Sequence, residues 1–163
     1  MTQATLAARN RAEPTFYIVD GTWHVRFSCG RPPLRDGRRL PADLEETARY
    51  LASADLLDGS EPMGLYENWI IRLAELEGEQ PLKCVLLERL RAGDPFEAAV
   101  ARYRLTERES EVLRLLLRGA PTAVIAAQLN IAETTAAVHV KRIAQKTDAR
   151  NRSQIIARVL GII

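Results

Sequence analysis

The side chains best suited to chemistry in this sequence lie in one stretch, LNIAETTAAVHVKRIAQK, which runs from Leu129 to Lys146. At helical spacing it carries two hydroxyls, three cations and an amide, namely Thr134, Thr135, Lys141, Arg142, Gln145 and Lys146. Such groups donate hydrogen bonds to phosphate oxygens and to the edges of bases. They include no nucleophile paired with a base. The stretch therefore predicts a binding surface for a polyanion rather than a catalytic site.

The rest of the chain offers no catalytic or metal-binding constellation. There is no Ser/His/Asp or Cys/His set and no glycine-rich phosphate loop, and the Glu45-Glu46 pair is typical of a solvated helix face. Cys29 and Cys84 have no metal-ligand spacing, so we expect two reduced thiols. His139 has no second ligand nearby and is expected to pack or form a hydrogen bond. We therefore predict no enzyme activity, no metal and no cofactor.

The charge distribution places the polyanion surface at one end of the chain. The 163 residues allow one ordinary domain or two small ones, and a composition that is 47% apolar and 27% charged excludes a disordered chain. Residues 105–163 carry nine basic and five acidic residues, a net charge of +4, whereas residues 1–104 carry 14 and 16, a net charge of −2. A basic module confined to the C-terminal end fits a footprint for a polyanion.

Helix start and stop signals divide this basic module into short helices. Thr106 and Glu109 form a T-x-x-E capping box at the start of LTERESEVLRLLLRG, with Leu105 placed to pack onto the apolar residues that follow. Gly119 is expected to end that helix in the left-handed conformation. A second helix, AVIAAQL, is predicted to begin at position 121 or 122 and to end in a tight turn at Asn130.

The third helix is predicted to begin near Glu133 and to have two distinct faces. Its packing face follows the spacing i, i+4, i+7 and i+11, at Ala136, Val140, Ile143 and Thr147. The opposite face presents Thr134, Ala137, Val138, Lys141, Arg142 and Gln145, with Lys146 at the edge. A fourth helix, SQIIARVLGII, carries Ile155, Ile156, Val159 and Leu160 to pack or to pair. Two short helices joined by a tight turn are typical of a helix-turn-helix.

These residues carry a resemblance to a known family. The segment from Leu105 resembles the LuxR/GerE-type helix-turn-helix domain, whose pattern is L-T-x-R-E-x-E-V-L, I-A-x-x-L-x-I, T-V-x-x-H-x-x-x-I and then R-x-R or N-R. The resemblance covers about the last 60 residues. The matching positions are Leu105, Thr106, Arg108, Glu109, Glu111, Val112, Leu113, Gly119, Ile125, Ala126, Leu129, Ile131, Thr135, His139, Val140, Ile143, Lys146, Arg150, Asn151 and Arg152.

The resemblance implies a bacterial regulator of transcription initiation that binds duplex DNA as a dimer. In this family the third helix enters the major groove, and the fourth helix commonly supports dimerisation. By position, Lys141 and Val138 match residues that contact DNA on the recognition helix, and Thr135, Arg150 and Arg152 match phosphate contacts. The full set of expected DNA-binding residues is Thr134, Thr135, Ala137, Val138, Lys141, Arg142, Gln145, Lys146, Arg150 and Arg152.

The chain departs from the family pattern at four positions. Ala137 and Ala123 stand where many relatives have a cation or, at position 137, an asparagine. Their absence predicts weaker phosphate attraction, since each neutralised phosphate adds ~0.9 to the salt slope. Thr147 and Ala149 replace apolar residues that usually close the end of the third helix. The surface of the recognition helix that is predicted to face DNA is thus unusually apolar.

The N-terminal segment predicts a small α+β unit. FYIVDGTWHVRF is expected to form a hairpin with a two-residue type I′ turn at Asp20-Gly21, which would place Phe16 and Ile18 on one face with Trp23, Val25 and Phe27. GRPPLRDGRR is predicted to be a loop. A helix is predicted over LPADLEETARYLASADLL, and it is predicted to end at DGSEPMG. A second hairpin is predicted from LYENWIIRLAEL and LKCVLLERLR.

A helix at PFEAAVARY then leads into the basic module, and the whole unit is similar to a PAS-like sensor. Phe96, Ala99, Val100 and Tyr103 would lie along one stripe of this helix. The middle segment is short for a PAS domain, FSCGRPPL lacks the flavin-cysteine motif, and His24 falls on the outward face of the hairpin. These departures from the PAS pattern predict no bound cofactor. The expected role is dimerisation or docking, through a sheet face or the PFEAAVARY helix.

The predicted fold class is an α+β PAS-like domain followed by an all-α four-helix LuxR-type helix-turn-helix domain. The expected divisions are a flexible arm at 1–13, the α+β domain at 14–93, a connecting helix at 94–104 and the DNA-binding domain at 105–163. The expected partners are double-stranded promoter DNA and a second copy in a homodimer, with RNA polymerase or another regulator as further candidates. The alternative function is an adaptor or anti-activator that uses the helix-turn-helix fold for protein contact. With no export signal and no apolar run of roughly 18 residues, we expect a cytoplasmic protein rather than a membrane protein.

Overall fold

The computed structural model describes residues 15–30, 39–53, 62–90 and 94–162. Its strands are β1 (Thr15–Val19), β2 (Val25–Cys29), β3 (Met63–Tyr66), β4 (Trp69–Leu76) and β5 (Leu82–Arg89). Its helices are α1 (Ala42–Ala52), α2 (Pro95–Tyr103), α3 (Glu107–Leu117), α4 (Thr122–Leu129), α5 (Glu133–Thr147) and α6 (Arg152–Val159). The predicted fold class, an α+β domain followed by four helices, is confirmed.

The N-terminal domain is a five-stranded antiparallel sheet with α1 against one face. The strand order is β2-β1-β5-β4-β3, which agrees with the PAS-like arrangement predicted from the sequence. Tyr17, Ile71 and Val85 point to the α1 side and are fully buried. They pack in one cluster with Leu44 and Ala48 of α1. The predicted helix ends earlier than the sequence suggested, at Ala52.

The first hairpin does not contain the predicted two-residue turn. Val19 pairs with Val25, so residues 20–24 form the connection, and the left-handed residue is Trp23 at φ 65°. The cause is the Asp20 carboxylate, which accepts hydrogen bonds from the backbone N–H groups of Thr22 (2.9 Å) and His24 (3.0 Å). An aspartate that bonds to the backbone two residues on is an Asx turn, and here it replaces the type I′ turn. Trp23 consequently lies in the core with Tyr17 and Val19 rather than beside Phe16.

The second hairpin is confirmed, and the sheet has a further strand that the sequence reading missed. β4 and β5 pair in register over eight residues and are joined by residues 77–81. β3 (Met63–Tyr66) begins in the segment DGSEPMG, which was predicted as a helix end, and continues into LYENWIIRLAEL, which was predicted as one strand. Glu67 (φ 50°) and Asn68 form a tight turn between Tyr66 and Trp69, which pair with each other.

The C-terminal helices begin and end largely where the capping signals predicted. Thr106 and Glu109 form the reciprocal capping box, with both hydrogen bonds present. Gly119 adopts φ 83° after α3, and Asn130 adopts φ 51° between α4 and α5. Ile155 is fully buried, and it packs with α3 and α5 in one apolar cluster.

The sheet and the helical domain share a continuous contact through α1, β3 and the end of α3. A Cβ placed on Gly119 would lie 2.9 Å from Leu51 Cδ2, so this turn packs directly on α1. The Arg118 guanidinium lies 3.1 Å from a Glu46 carboxylate oxygen across the same boundary. Met63 and Ile70 of the sheet belong to the apolar cluster of the helical domain.

Some predictions fall outside the described residues. These are the arm at 1–13, most of the loop GRPPLRDGRR and the start of DGSEPMG. In the described ranges, no helix has the length and apolar character that a membrane crossing requires.

Candidate nucleic-acid interface

The outward face of α5 is exposed along its length. The exposed residues are those that the sequence assigned to this face: Thr134, Ala137, Val138, Lys141, Arg142 and Gln145. Val138 is 47% exposed although its side chain is apolar. An exposed large apolar residue between two cations is suited to contact a thymine methyl group in a groove whose walls are phosphates. None of the described elements covers this face.

The opposite face of α5 fixes its orientation. Ala136 and Ile143 are fully buried, and Thr147 is 1% exposed. The Thr147 hydroxyl donates to the Ile143 carbonyl oxygen at 2.8 Å, so its polar group is satisfied within its own helix. Together with the partly buried Ala149, Thr147 closes the end of α5 where the family usually has apolar residues.

An ion pair between Lys146 and the buried Glu109 ties the end of α5 to the start of α3. The Lys146 ammonium lies 2.6 Å from a Glu109 carboxylate oxygen and also donates to the Arg104 carbonyl oxygen at 2.9 Å. Glu109 is only 3% exposed. Burial raises the pKa of Glu109, but hydrogen bonds from Lys146 and from the Thr106 backbone and hydroxyl outweigh it and hold the pKa below its ordinary value.

Lys146 was expected to meet DNA, but its charge is already engaged inside the protein. The sequence could not reveal this, because the partners lie 37 and 42 residues away along the chain.

Arg152 also has internal partners. Its guanidinium donates to the carbonyl oxygens of Leu116 (3.2 Å) and Ala120 (2.6 Å), which anchors the start of α6 to the end of α3. Burial lowers the pKa of Arg152 to about 10. The family resemblance predicted a phosphate contact for Arg152. In the structure the Arg152 side chain is directed into the domain.

Arg108, a further residue of the family motif, connects α3 to the turn of the helix-turn-helix. It pairs with Glu111 at 2.5 Å and donates to the Leu129 carbonyl oxygen at 2.8 Å. Leu129 is the last residue of α4, so this contact fixes the turn at Asn130 from behind. Sequence reasoning gave Arg108 no role beyond the motif match.

Three cations remain available on the outer surface. Lys141, Arg142 and Arg150 are exposed, and no ion-pair partner is recorded for them among the described residues. Ala137 and Ala123 are exposed as well, so the missing cations leave small side chains on the same surface.

The start of α5 offers backbone donors beside this face. Its N-cap is Ala132, which provides no side-chain acceptor. The first N–H groups of a helix have no intrahelical partner, and they carry partial positive charge. The Thr134 and Thr135 hydroxyls are exposed next to them. The N–H groups of such a helix start can donate hydrogen bonds to a phosphate oxygen.

The remaining candidate residues are not gathered into a site. His24 is exposed and its Nδ1 lies 2.8 Å from the Thr22 hydroxyl. The buried His139 Nδ1 has no hydrogen-bond partner within the described part of the chain. Cys29 and Cys84 are free thiols, and burial raises the pKa of Cys84. In the parts of the chain that the structure describes, no three His, Cys, Asp or Glu residues are grouped so as to hold a metal ion.

Comparison with known proteins identifies the helical domain. The family model for bacterial regulatory proteins of the luxR family (GerE) matches residues 103–159. These residues form a luxR-family helix-turn-helix domain, in which α4 and α5 are the two helices of the motif.

Two curated relatives extend the match. A nitrate/nitrite response regulator protein homolog from Haemophilus influenzae is 37% identical over 105 residues, which cover 62% of this chain and 47% of the relative. The transcriptional activator protein AhyR from Aeromonas hydrophila is 35% identical over 151 residues, which cover 87% of this chain and 53% of the relative. The chain spans about half the length of these relatives.

Solved structures show a weaker likeness. VqmA bound to DPO aligns with a TM-score of 0.41 at 17% identity, covering 99% of this chain and 88% of that one. A Vibrio cholerae VqmA dimer without target DNA aligns with a TM-score of 0.39, also at 17% identity, with the same coverage of each chain.

Proposed function

We propose that this protein is a bacterial transcriptional regulator that binds promoter duplex DNA as a dimer, with α5 in the major groove. The observation that carries the proposal is the exposed outer face of α5 in a luxR-family domain. On that face, Lys141 and Arg142 flank the apolar Val138. Such a protein acts in the cytoplasm, where the chromosome lies.

The contacts divide into three groups. Val138 and Gln145 are placed to meet base edges, because they follow one another at helical spacing along the centre of the face. Lys141, Arg142, Arg150 and the helix start near Thr134 are placed to meet phosphates. Lys146 and Arg152 are proposed as supports that hold α5 and α6 in position, because their cations have carboxylate or carbonyl partners inside the domain.

The number of free cations sets the expected salt dependence. Three per protomer, Lys141, Arg142 and Arg150, give about six phosphate contacts in a dimer and a slope of log K against log salt near −5. The test is fluorescence anisotropy with a labelled duplex between low and physiological salt, for wild type and for the variant Lys141→Gln/Arg142→Gln. That variant should lose about three to four units of slope. A control, Arg39→Gln, removes an exposed cation on the other domain and should change nothing.

We place the dimer interface on the face of the sheet that is turned away from α1. Phe16, Ile18 and Phe27 share this face, with the rings of Phe16 and Phe27 5.9 Å apart, and Cys84 and Leu86 continue it on β5. Phe27 is 54% exposed. The described elements leave the part of this face around Phe27 uncovered, whereas the helical domain covers Ile70 at its other end.

The apolar sides of α6 and α2, which could also form a dimer interface, are buried within one chain. The apolar residues of α6, among them Ile155 and Ile156, are buried, and so are Phe96 and Ala99 of α2. We propose that a second copy of the chain covers this sheet face, because a protein that binds a two-fold symmetric DNA site is a dimer. A two-fold axis brings the same patch of both copies together.

The dimer proposal is tested by sedimentation velocity. Phe27→Glu places a charge in the proposed interface and should convert the dimer to a monomer. Ala101→Glu places the same charge on the exposed side of α2 and should leave the dimer intact. The reverse pattern would locate the interface on α2.

The second candidate is an adaptor or anti-activator that contacts another regulator or polymerase without binding DNA itself. Two observations favour it: Ala123 and Ala137 leave the surface short of cations, and Lys146 and Arg152 are engaged internally. A flat salt response, together with no duplex binding by a folded dimer, would support the adaptor.

A further inference from the structure

A cleft of about 630 Å³ lies where the sheet meets the helical domain. Its walls come from the ends of β4 and β5, from α2 and from the end of α6. Ile70, Tyr103 and Leu160 provide apolar lining. A volume between ~300 and ~1,000 Å³ at a domain boundary, lined by apolar groups with a few polar ones, is typical of small-molecule sites.

The charges that line the cleft are unbalanced. Four arginines and two carboxylates face it, namely Arg72, Arg89, Arg102, Arg158, Glu88 and Asp94. Arg72 is paired with Glu88 at 3.4 Å, and the Asp94 carboxylate accepts from the Phe96 backbone N–H as the cap of α2. Both carboxylates are therefore occupied.

Three of the guanidinium groups have hydrogen-bonding capacity left. No carboxylate partner is recorded for Arg89 or Arg102 among the described residues, and Arg102 stacks on the ring of its neighbour Tyr103. Among the described residues, Arg158 meets one carboxylate, Asp148 at 3.3 Å, and that carboxylate is 94% exposed. The Nε of Arg158 is buried and has no hydrogen-bond partner among the described residues, which is unfavourable for a donor. The Arg158 side chain lines the cleft.

We propose that this cleft binds a small organic anion, an oxyanion group on an apolar body. Arg89, Arg102 and Arg158 would hold the oxyanion, because a guanidinium matches the planar geometry of a carboxylate or phosphate. The apolar body would lie against Ile70 and Leu160. Since α6 belongs to the helical domain and β5 to the sheet, the anion contacts both domains and favours their docked arrangement. The binding itself does not depend on the proposed DNA binding.

The probe is 1-anilinonaphthalene-8-sulfonate, an anion with an apolar body, measured by fluorescence on the full chain without DNA. Its neutral counterpart, N-phenyl-1-naphthylamine, has the same rings without the sulfonate. The anionic probe should bind at a saturable site, and Arg89→Gln/Arg102→Gln should weaken that binding about tenfold or more while binding of the neutral probe stays unchanged. The control Arg39→Gln should alter neither.

A second variant separates the cleft from the apolar sheet face. Ala98→Trp fills the cleft from the exposed side of α2 and should reduce binding of the anionic probe, whereas Phe27→Glu should not. Circular dichroism checks that each variant is folded. Equal loss of both probes in the arginine variant, or loss of anionic binding in Phe27→Glu alone, would overturn the proposal. A result of this kind leaves the DNA-binding proposal standing, because DNA is absent from the assay.

Discussion

The ion pair between Glu109 and Lys146 predicts that removing Lys146 lowers the stability of the fold. This change distinguishes a structural role of Lys146 from a DNA contact. Lys146→Met leaves a carboxylate that is 3% exposed without its cation, and it removes the donor to the Arg104 carbonyl oxygen. Removing one partner of a fully buried pair costs ~3–5 kcal/mol. Because the Lys146 side chain is 34% exposed, we expect a smaller cost than for a fully buried pair, about 2–3 kcal/mol.

Glu109→Gln should cost less, about 1–2 kcal/mol, because a glutamine at this position can still accept from the Thr106 backbone N–H in the capping box. The double variant Glu109→Gln/Lys146→Met should cost less than the sum of the two, with a coupling energy of about 1–2 kcal/mol. Urea unfolding followed by circular dichroism measures all four proteins.

The same pair predicts a pH dependence. The pKa of Glu109 is lower in the folded protein than its ordinary value, so its ionised form stabilises the fold. This contribution is complete above the unfolded pKa, about 4.3, and is lost as the pH falls through the lower folded pKa. The difference between wild type and Glu109→Gln should therefore be constant near neutral pH and shrink in acid below about pH 4.

A separate outcome would refute this reasoning. If Lys146→Met unfolds at the same urea concentration as wild type but loses about one unit of salt slope per protomer, Lys146 meets a phosphate. The account predicts the opposite, a less stable protein with an unchanged slope.

Three further changes have defined outcomes. Ala137→Lys should steepen the salt dependence of duplex binding by about one unit per protomer, as anisotropy will show, and an unchanged slope would mean that position 137 does not face DNA. Gly119→Ala should lower stability by about 1–3 kcal/mol in urea unfolding, because φ is 83° and the new Cβ would lie 2.9 Å from Leu51 Cδ2; no loss would contradict the packing of this turn on α1. Arg152→Met should lower the thermal midpoint, since it leaves the buried carbonyl oxygen of Ala120 without its donor at a cost of about 1–3 kcal/mol. The salt slope of duplex binding should stay constant in this variant.

The helical domain could be predicted closely because its signals are local. The Thr106–Glu109 capping box, the left-handed Gly119 and the left-handed Asn130 each depend on residues a few positions apart. The apolar spacing of Ala136 and Ile143 fixed the buried side of α5, and so also which residues face outward. The exposed part of the candidate interface follows directly from that spacing.

The sequence did not reveal a feature where a local signal had a competitor or a partner lay far along the chain. Asp20-Gly21 indicated a two-residue turn, but the Asp20 carboxylate binds the N–H groups of Thr22 and His24 and lengthens the connection. Lys146 and Arg152 are cations in a basic segment, and no local pattern indicates their acceptors, which lie more than 30 residues away. For such residues, the charge alone does not show whether the side chain stabilises the fold or contacts DNA.

The most direct test of the central claim is enrichment of sheared genomic duplex DNA by the purified full-length protein, followed by sequencing. Lys141→Gln/Arg142→Gln is measured alongside, with Arg39→Gln as the control. The account predicts sharp peaks that share a two-fold motif, present with wild type and Arg39→Gln and lost with the double variant. Folded wild-type dimer that enriches no sequence in low salt would contradict the account and favour the adaptor.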